Sequence, residues 1–224
     1  MRRHMFRWSP ARIIAGAFGS ISFIGSILLY LPWGHMPGQS ITYVDALYTA
    51  VSALCVTGLS IVDTAAVFNP FGQAILAVLI QVGGLGVSTM GAGVLLMLGR
   101  KVGIRQRNLI HDTMNLDSYS GVVRFLRTLF ATTVFIEVIG AFLGYFVFRR
   151  DYEMMESIGL SIFHSISSFN NAGLTILTKE RSMEMYAEDP FMLILTTALV
   201  FVGGLGFIVI RECWVNRFRW RKLS

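Results

Sequence analysis

The sequence predicts an all-α integral membrane protein made of two parallel repeats, each a helix, a re-entrant loop and a second helix. The first observation is composition: of 224 residues, 54% are hydrophobic and only 14% are charged, against roughly a quarter in soluble domains. The second is the presence of apolar runs long enough to cross a bilayer. The third is an internal repeat, because glycine-containing motifs of the first half recur in the second half.

Four apolar segments are long enough to span, since a spanning helix needs roughly 20 predominantly apolar residues. They are Ile13–Leu31, Phe71–Leu98, Thr128–Phe148 and Pro190–Ile210. The third carries one charged residue, Glu137. An intramembrane carboxylate is a functional candidate. The structural alternative is a hydrogen-bonded group buried against a neighbouring inner helix, and nothing in the sequence places Glu137 on a pore axis.

Two further apolar segments, Tyr43–Val62 and Ser157–Leu177, are better explained as re-entrant loops than as spans. If both crossed, the basic loop Arg100–Arg107 would lie opposite the basic N-terminus. If both return to the side they enter from, 15 of the 19 Lys and Arg residues share one side, including those of the tail Arg211–Lys222. Because positive charge marks the cytoplasmic side, we expect four spans with both termini cytoplasmic.

The repeat divides the chain into a first unit at 1–99, a basic cytoplasmic linker at 100–123, a second unit at 124–212 and a basic tail at 213–224. The sequence TGLS at 57–60 aligns with AGLT at 172–175, and GGLG at 83–86 aligns with GGLG at 203–206. The offsets are 115 and 120 residues. Both units have the same orientation, so they are related by an axis along the membrane normal.

Each re-entrant segment is expected to begin as a short helix that descends to mid-membrane. Thr42 and Asp45 form a plausible capping box at the start of the first one. Its C-terminal end carries about half a negative charge, and the glycine that follows allows unusual backbone conformations. Extended carbonyls there can ring a dehydrated monovalent cation. A lone TGLS motif is more often a turn, but its recurrence favours a filter.

Three motifs, TAVSALCVTGLSIVDT at 49–64, QVGGLG at 81–86 and SSFNNAGLT at 167–175, resemble the Trk/Ktr potassium transporter superfamily, which includes plant high-affinity potassium transporters. The short basic segment before the first span is most similar to the Ktr-type membrane subunit. The family implies four helix–pore-loop–helix repeats around a central potassium path. Only two are present here, so the chain looks like the N-terminal half of such a pore.

The resemblance implies a selectivity filter of backbone carbonyls with potassium as the substrate. Its residues would be Cys55, Val56, Thr57 and Gly58 in the first loop, and Asn170, Asn171, Ala172 and Gly173 in the second. Both loops keep glycine, which in this family favours potassium over sodium. The two asparagine side chains either add oxygens to the ion or brace the loop, and bracing is favoured.

The two predicted inner helices each contain several glycines, which have no side chain. They are Gly83, Gly84 and Gly86 in the first, and Gly203, Gly204 and Gly206 in the second. These glycines either allow close helix packing or act as hinges below the filter. Packing is the favoured interpretation.

The function expected from these features is potassium uptake across the plasma membrane (the inner membrane of a bacterial cell) by a partial pore subunit. One alternative is a non-conducting truncated remnant or structural assembly partner, and another is a sodium-permeable pathway. The missing repeats would come from a homodimer or from a second half. The family also implies a cytoplasmic nucleotide-binding regulatory subunit. The sequence predicts no enzyme, no cofactor and no nucleic-acid partner, and places the aromatic, basic tail Asn216–Lys222 at lipid headgroups.

Overall fold

The computed structural model describes residues 10–87, 89–91, 122–177, 183–206 and 209–210, and the regular elements in these ranges are helical. A single isolated bridge joins His35 and Phe68. The helices are α1 (Pro10–Tyr30), α2 (Tyr43–Cys55), α3 (Thr64–Val67), α4 (Pro70–Leu85), α5 (Val122–Phe148), α6 (Met154–Phe169) and α7 (Pro190–Gly204), with 3₁₀ turns at Pro32–Gly34 and Met183–Tyr186. The prediction of an all-α fold is confirmed.

The helices begin where the sequence supplies a cap. The predicted capping box is confirmed: the Thr42 hydroxyl accepts from the Asp45 N–H at 3.2 Å, and the Asp45 carboxylate accepts from the Thr42 N–H at 3.1 Å. Helices α4 and α7 both open with proline after a capping side chain, Asn69 or Asp189. In each case the side-chain oxygen accepts from two N–H groups of the first turn, at 2.9 and 3.1 Å.

The apolar surface of the helices suits a lipid environment. Helices α1 and α5 are long and apolar enough to cross a bilayer, judged by length and composition. Large side chains point outward from α5 and α7, with Val138 60% exposed, Phe142 62% and Ile194 69%. Small polar residues such as Ser161 and Ser165 are buried instead. Small polar interiors and greasy exteriors are typical of helix bundles in membranes.

The two inner helices contain a break. Apolar spans were predicted at Phe71–Leu98 and Pro190–Ile210, and within them α4 has 16 residues and α7 has 15. Each ends beside a glycine in the left-handed region, Gly86 at φ 82° and Gly206 at φ 80°, and helical residues resume beyond it. A left-handed residue ends an α-helix, because its hydrogen-bond ladder cannot continue through that conformation. The two inner segments are therefore broken at a glycine, and residues 92–98 lie outside the described ranges.

The helices pack as two similar groups. In the first, α1 and α4 pack against each other and against α2. In the second, α5 and α7 pack against each other and against α6. Contacts between α4 and α6 join the groups. Each short helix, α2 or α6, therefore contacts both other helices of its group.

The α7 cap predicts a pH dependence of stability. The hydrogen bond from the Met192 N–H is the largest influence on the Asp189 carboxyl. Together with the Phe191 N–H and Arg150, whose Nη1 lies 2.6 Å from Asp189 Oδ2, it outweighs the opposing effect of desolvation and holds the pKa of this carboxyl below its ordinary 3.8. Because the folded pKa is depressed, the carboxylate stabilises the fold above pH 3.8 and loses this effect as the pH falls further. We expect the thermal unfolding midpoint of the purified chain to fall on acidification below about pH 4, and Asp189→Asn to reduce that fall.

Glu153→Gln is the matched control, since Glu153 occupies the N-cap of α6 without a side-chain cap bond. An acid-induced fall that Asp189→Asn leaves unchanged would contradict the assignment.

Candidate functional site

The first loop leaves α2 through a sharply turned backbone. Val56 is left-handed at φ 55°, and the Thr57 N–H returns to the Ser52 carbonyl at 3.1 Å. Gly58 is again left-handed, at φ 73°. The Ser52 hydroxyl then donates to the Leu59 carbonyl at 2.5 Å. One buried serine therefore satisfies an oxygen of the segment that leads away from the helix.

The second loop leaves α6 by the same path, 115 residues later in the sequence. Asn171 is left-handed at φ 58°, and the Ala172 N–H returns to the Ser167 carbonyl at 2.8 Å. Gly173 follows at φ 68°. The Ser167 hydroxyl donates to the Leu174 carbonyl at 2.6 Å. Both loops thus share their left-handed positions and their serine brace.

The structure brings the two loops into contact at their glycines. A Cβ placed on Gly58 would lie 2.8 Å from the Ala172 carbonyl oxygen, and one on Gly173 would lie 3.6 Å from the Gly58 Cα. The Thr64 hydroxyl donates to the Thr175 carbonyl where the segments leave the site. Of the predicted filter residues, the two glycines are therefore neighbours, and any side chain at Gly58 would collide with the opposite backbone.

Exposure differs between the loops. Cys55 and Thr57 are exposed in the first loop, and Cys55 carries a free thiol. In the second loop Ala172 and Asn170 are buried, whereas Asn171 is exposed. Within the described ranges, no group of three or more His, Cys, Asp or Glu residues is placed to hold a metal ion. The oxygens that these loops offer are those of backbone carbonyls and of short polar side chains.

The inner-helix glycines divide into two kinds. A Cβ on Gly83 would lie 1.9 Å from the Leu54 carbonyl oxygen, and one on Gly203 would lie 1.8 Å from that of Phe169. These two glycines let α4 and α7 touch the last turns of α2 and α6. By contrast, Gly86 and Gly206 have positive φ, and an added Cβ would meet only Thr89 Oγ1 at 3.8 Å at Gly86 and nothing within 4 Å at Gly206. The first kind fits the packing interpretation, and the second kind marks the helix breaks.

Side chains around the second loop brace it from several directions. Asn171 Nδ2 donates to the Val200 carbonyl at 3.3 Å. The His164 ring contacts the Thr196 hydroxyl at 3.0 Å and the Ser168 hydroxyl at 3.3 Å. These bonds tie α6 and its loop to α7. The bracing interpretation of Asn171 fits these contacts.

Asn170 and Glu137 meet beside the second loop. Asn170 Nδ2 donates to Gln81 Oε1 at 3.0 Å and to Glu137 Oε1 at 3.2 Å, and the Ser165 hydroxyl donates to the Glu137 carbonyl at 2.8 Å. Glu137 is thus a hydrogen-bonded group next to the loop, as the structural alternative described. Sequence reasoning did not identify Gln81, since a single glutamine in an apolar run gives no indication of its partner.

Sequence reasoning also missed the two serine braces. Ser52 and Ser167 are separated by the same 115 residues as the two filter glycines. Extending the repeat alignment backward from the glycines would have found them.

Comparison with known proteins finds cation transport and uptake proteins similar to this chain. The family model described as "TrkH: Cation transport protein" matches residues 10–222. Ktr system potassium uptake protein B of Bacillus subtilis is 35% identical over 94% of this chain and 46% of that protein. The potassium/sodium uptake protein NtpJ of Enterococcus hirae is 36% identical over 92% of this chain and 45% of that protein. Ktr system potassium uptake protein B of Vibrio alginolyticus is 36% identical over 99% of this chain and 47% of that protein. This chain spans a little under half the length of each.

The close approach at Gly83 and Gly203 predicts a cost for any larger residue. Gly83→Ala places a methyl group against the Leu54 carbonyl oxygen of α2, and Gly203→Ala places one against the Phe169 carbonyl oxygen of α6. We expect each to destabilise the purified chain by about 1–3 kcal/mol, measured as a lower thermal unfolding midpoint in detergent. Gly19→Ala is the control, because nothing lies within 4 Å of its added Cβ in α1. Gly83→Ala unfolding at the same temperature as Gly19→Ala would refute the packing role.

Proposed function

This chain belongs to the TrkH family of cation transport proteins, and we propose that it supplies two of the four pore loops of a potassium-uptake pathway. In this proposal Cys55–Gly58 and Asn170–Gly173 offer backbone carbonyls to a dehydrated potassium ion. Helices α1 and α5 and the broken inner helices that begin with α4 and α7 cross the plasma membrane, both loops enter from the outside, and both termini are cytoplasmic. Potassium is the transported substrate rather than a resident cofactor.

The observation that carries the proposal is the matched geometry of the two loops. Each loop has left-handed residues at alternate positions, Val56 and Gly58 in one and Asn171 and Gly173 in the other. Alternating hand along a backbone turns successive carbonyls toward one side, whereas an extended strand points them to opposite sides. Carbonyls gathered on one side are what a potassium filter uses to replace the water around the ion.

The helices that lead into the loops add a favourable field. Helix α2 has 13 residues and α6 has 16, and neither has a basic residue in its last turn. Each presents its C-terminal end to a loop, where the macrodipole amounts to about half a negative charge. Two such ends at one place favour a cation without a carboxylate ligand, so a monovalent ion can enter and leave.

One side of the pair of loops is open, which favours additional partners. Gly84 of α4 is covered by Asn170 of the second loop, since a Cβ added to this glycine would lie only 2.0 Å from the Asn170 side-chain oxygen. At the matching position of α7, Gly204 has only Asn171 Nδ2 nearby, at 3.9 Å. A cavity of about 520 Å³ bordered by His164, Thr196 and the second loop lies on this side. We propose that a further pore loop covers Gly204 as Asn170 covers Gly84.

The remaining loops come from a second half of a longer polypeptide or from a second copy of this chain. A cytoplasmic nucleotide-binding subunit stays a prediction, because the basic segments at 100–107 and 211–222 lie outside the described residues.

The filter assignment predicts the effect of one methyl group. Rubidium uptake is measured in a potassium-uptake-deficient bacterium that expresses this chain. We expect uptake that potassium inhibits, and a loss of at least about tenfold in Gly58→Ala, whose Cβ would meet the Ala172 carbonyl oxygen at 2.8 Å.

Gly38→Ala is the matched control. Gly38 has a similar positive φ of 79° but nothing within 4 Å of its Cβ, so this variant carries the same backbone strain away from the loops. Equal loss of uptake in both variants would refute the site.

The open side predicts the assembly state of the chain expressed alone. If a second copy supplies the remaining loops, native mass spectrometry of the purified chain will show twice the 24.9 kDa of one chain. A monomer that transports no rubidium, but gains uptake when chain segments with two further repeats are co-expressed, would instead identify a second half as the partner.

A further inference from the structure

A partly buried cluster joins three helices at the second loop. The carboxamide nitrogen of Asn170 donates to Gln81 Oε1 of α4 at 3.0 Å, to Glu137 Oε1 of α5 at 3.2 Å and to the Ile166 carbonyl of its own helix at 2.9 Å. Asn170 is only 9% exposed, so these protein groups take the place of water.

The orientation of the Asn170 carboxamide follows from chemistry. A backbone carbonyl only accepts hydrogen bonds, so the nitrogen of Asn170 faces the Ile166 carbonyl and the two side-chain oxygens beside it, and its own oxygen turns away. That oxygen is buried and has no hydrogen-bond partner among the described residues. It lies against Gly84, where an added Cβ would be 2.0 Å away. The carboxamide is therefore fixed at both ends.

The cluster exists on one side of the repeat only. The residue that matches Asn170 in the first loop, 115 positions earlier, is Cys55, which is exposed. Gln81 lies five positions before Gly86, where α4 breaks. The cluster thus connects the inner helix of the first unit, just above its break, to the loop of the second unit.

We infer that Glu137 is a positioning residue for ion selectivity, acting through Asn170 to hold the second loop against α4. The inference rests on the proposed filter function. The Glu137 carboxyl group contacts the loop by accepting a hydrogen bond from the Asn170 side-chain amide. This contact makes Glu137 a hydrogen-bond acceptor for the loop rather than a ligand of the ion. A ring of carbonyls separates potassium from sodium by its size and field, and both depend on where the loop backbone is held.

The test compares rubidium and sodium uptake rates in liposomes that contain the purified chain. Glu137→Gln keeps an acceptor oxygen for Asn170, and Glu137→Ala removes it. We expect Glu137→Ala to lower the rubidium-to-sodium ratio by about fivefold or more, and Glu137→Gln to stay within about twofold of the parent chain. Val138→Ala is the control, because Val138 is 60% exposed on the same helix.

The double variant decides whether Glu137 acts through Asn170. If it does, the selectivity of Asn170→Ala with Glu137→Ala equals that of Asn170→Ala alone. Three results would overturn the inference: reduced uptake with an unchanged ratio in Glu137→Ala, a Glu137→Gln variant as impaired as Glu137→Ala, or additive effects in the double variant.

Failure of the proposed function has a different signature. In that case the folded parent chain transports no rubidium. The cluster is then judged by the thermal unfolding midpoints of Glu137→Ala, Glu137→Gln, Asn170→Ala and the double variant. Non-additive shifts at Glu137 and Asn170, with Glu137→Gln restoring stability, support the coupling. Additive shifts overturn it.

Discussion

The structure depends on satisfying the backbone of two loops that interrupt an apolar bundle. In a membrane interior an unpaired N–H or C=O costs several kcal/mol, so irregular backbone persists only where the protein supplies partners. Ser52 and Ser167 supply them, each donating to a carbonyl seven residues further on. The left-handed residues that lie between each serine and its bonded carbonyl let the chain reverse direction within a few residues.

The neighbouring helices are adapted to these loops. Gly83 and Gly203 place the backbones of α4 and α7 directly against the last carbonyls of α2 and α6. A side chain at either position would push the inner helix outward and open space around the loop. The breaks at Gly86 and Gly206 follow within three residues. Each GGLG motif therefore contains one glycine that allows close helix packing and, three residues later, one glycine whose positive φ ends the helix.

The two units are similar but not equivalent. One face of the second loop is covered, because the Asn170 side chain lies against Gly84, Gln81 and Glu137, while the exposed Asn171 and Gly173 border the cavity beside His164 and Thr196. The proposal that further pore loops complete the site rests on this difference between the covered and the open face.

The sequence by itself determined the membrane class, the helices α1 and α5, the capping box at Thr42, the positions of the loops and the family. These follow from hydropathy, local capping chemistry and an alignment of the two halves, all of which are read along the chain. Only the tertiary structure decided that α4 and α7 break at glycine, because hydropathy carries no information about φ. It also decided that Asn170 meets partners 89 and 33 residues away. Contacts of that kind depend on how helices pack against one another, and one apolar helix face does not specify which partner it meets.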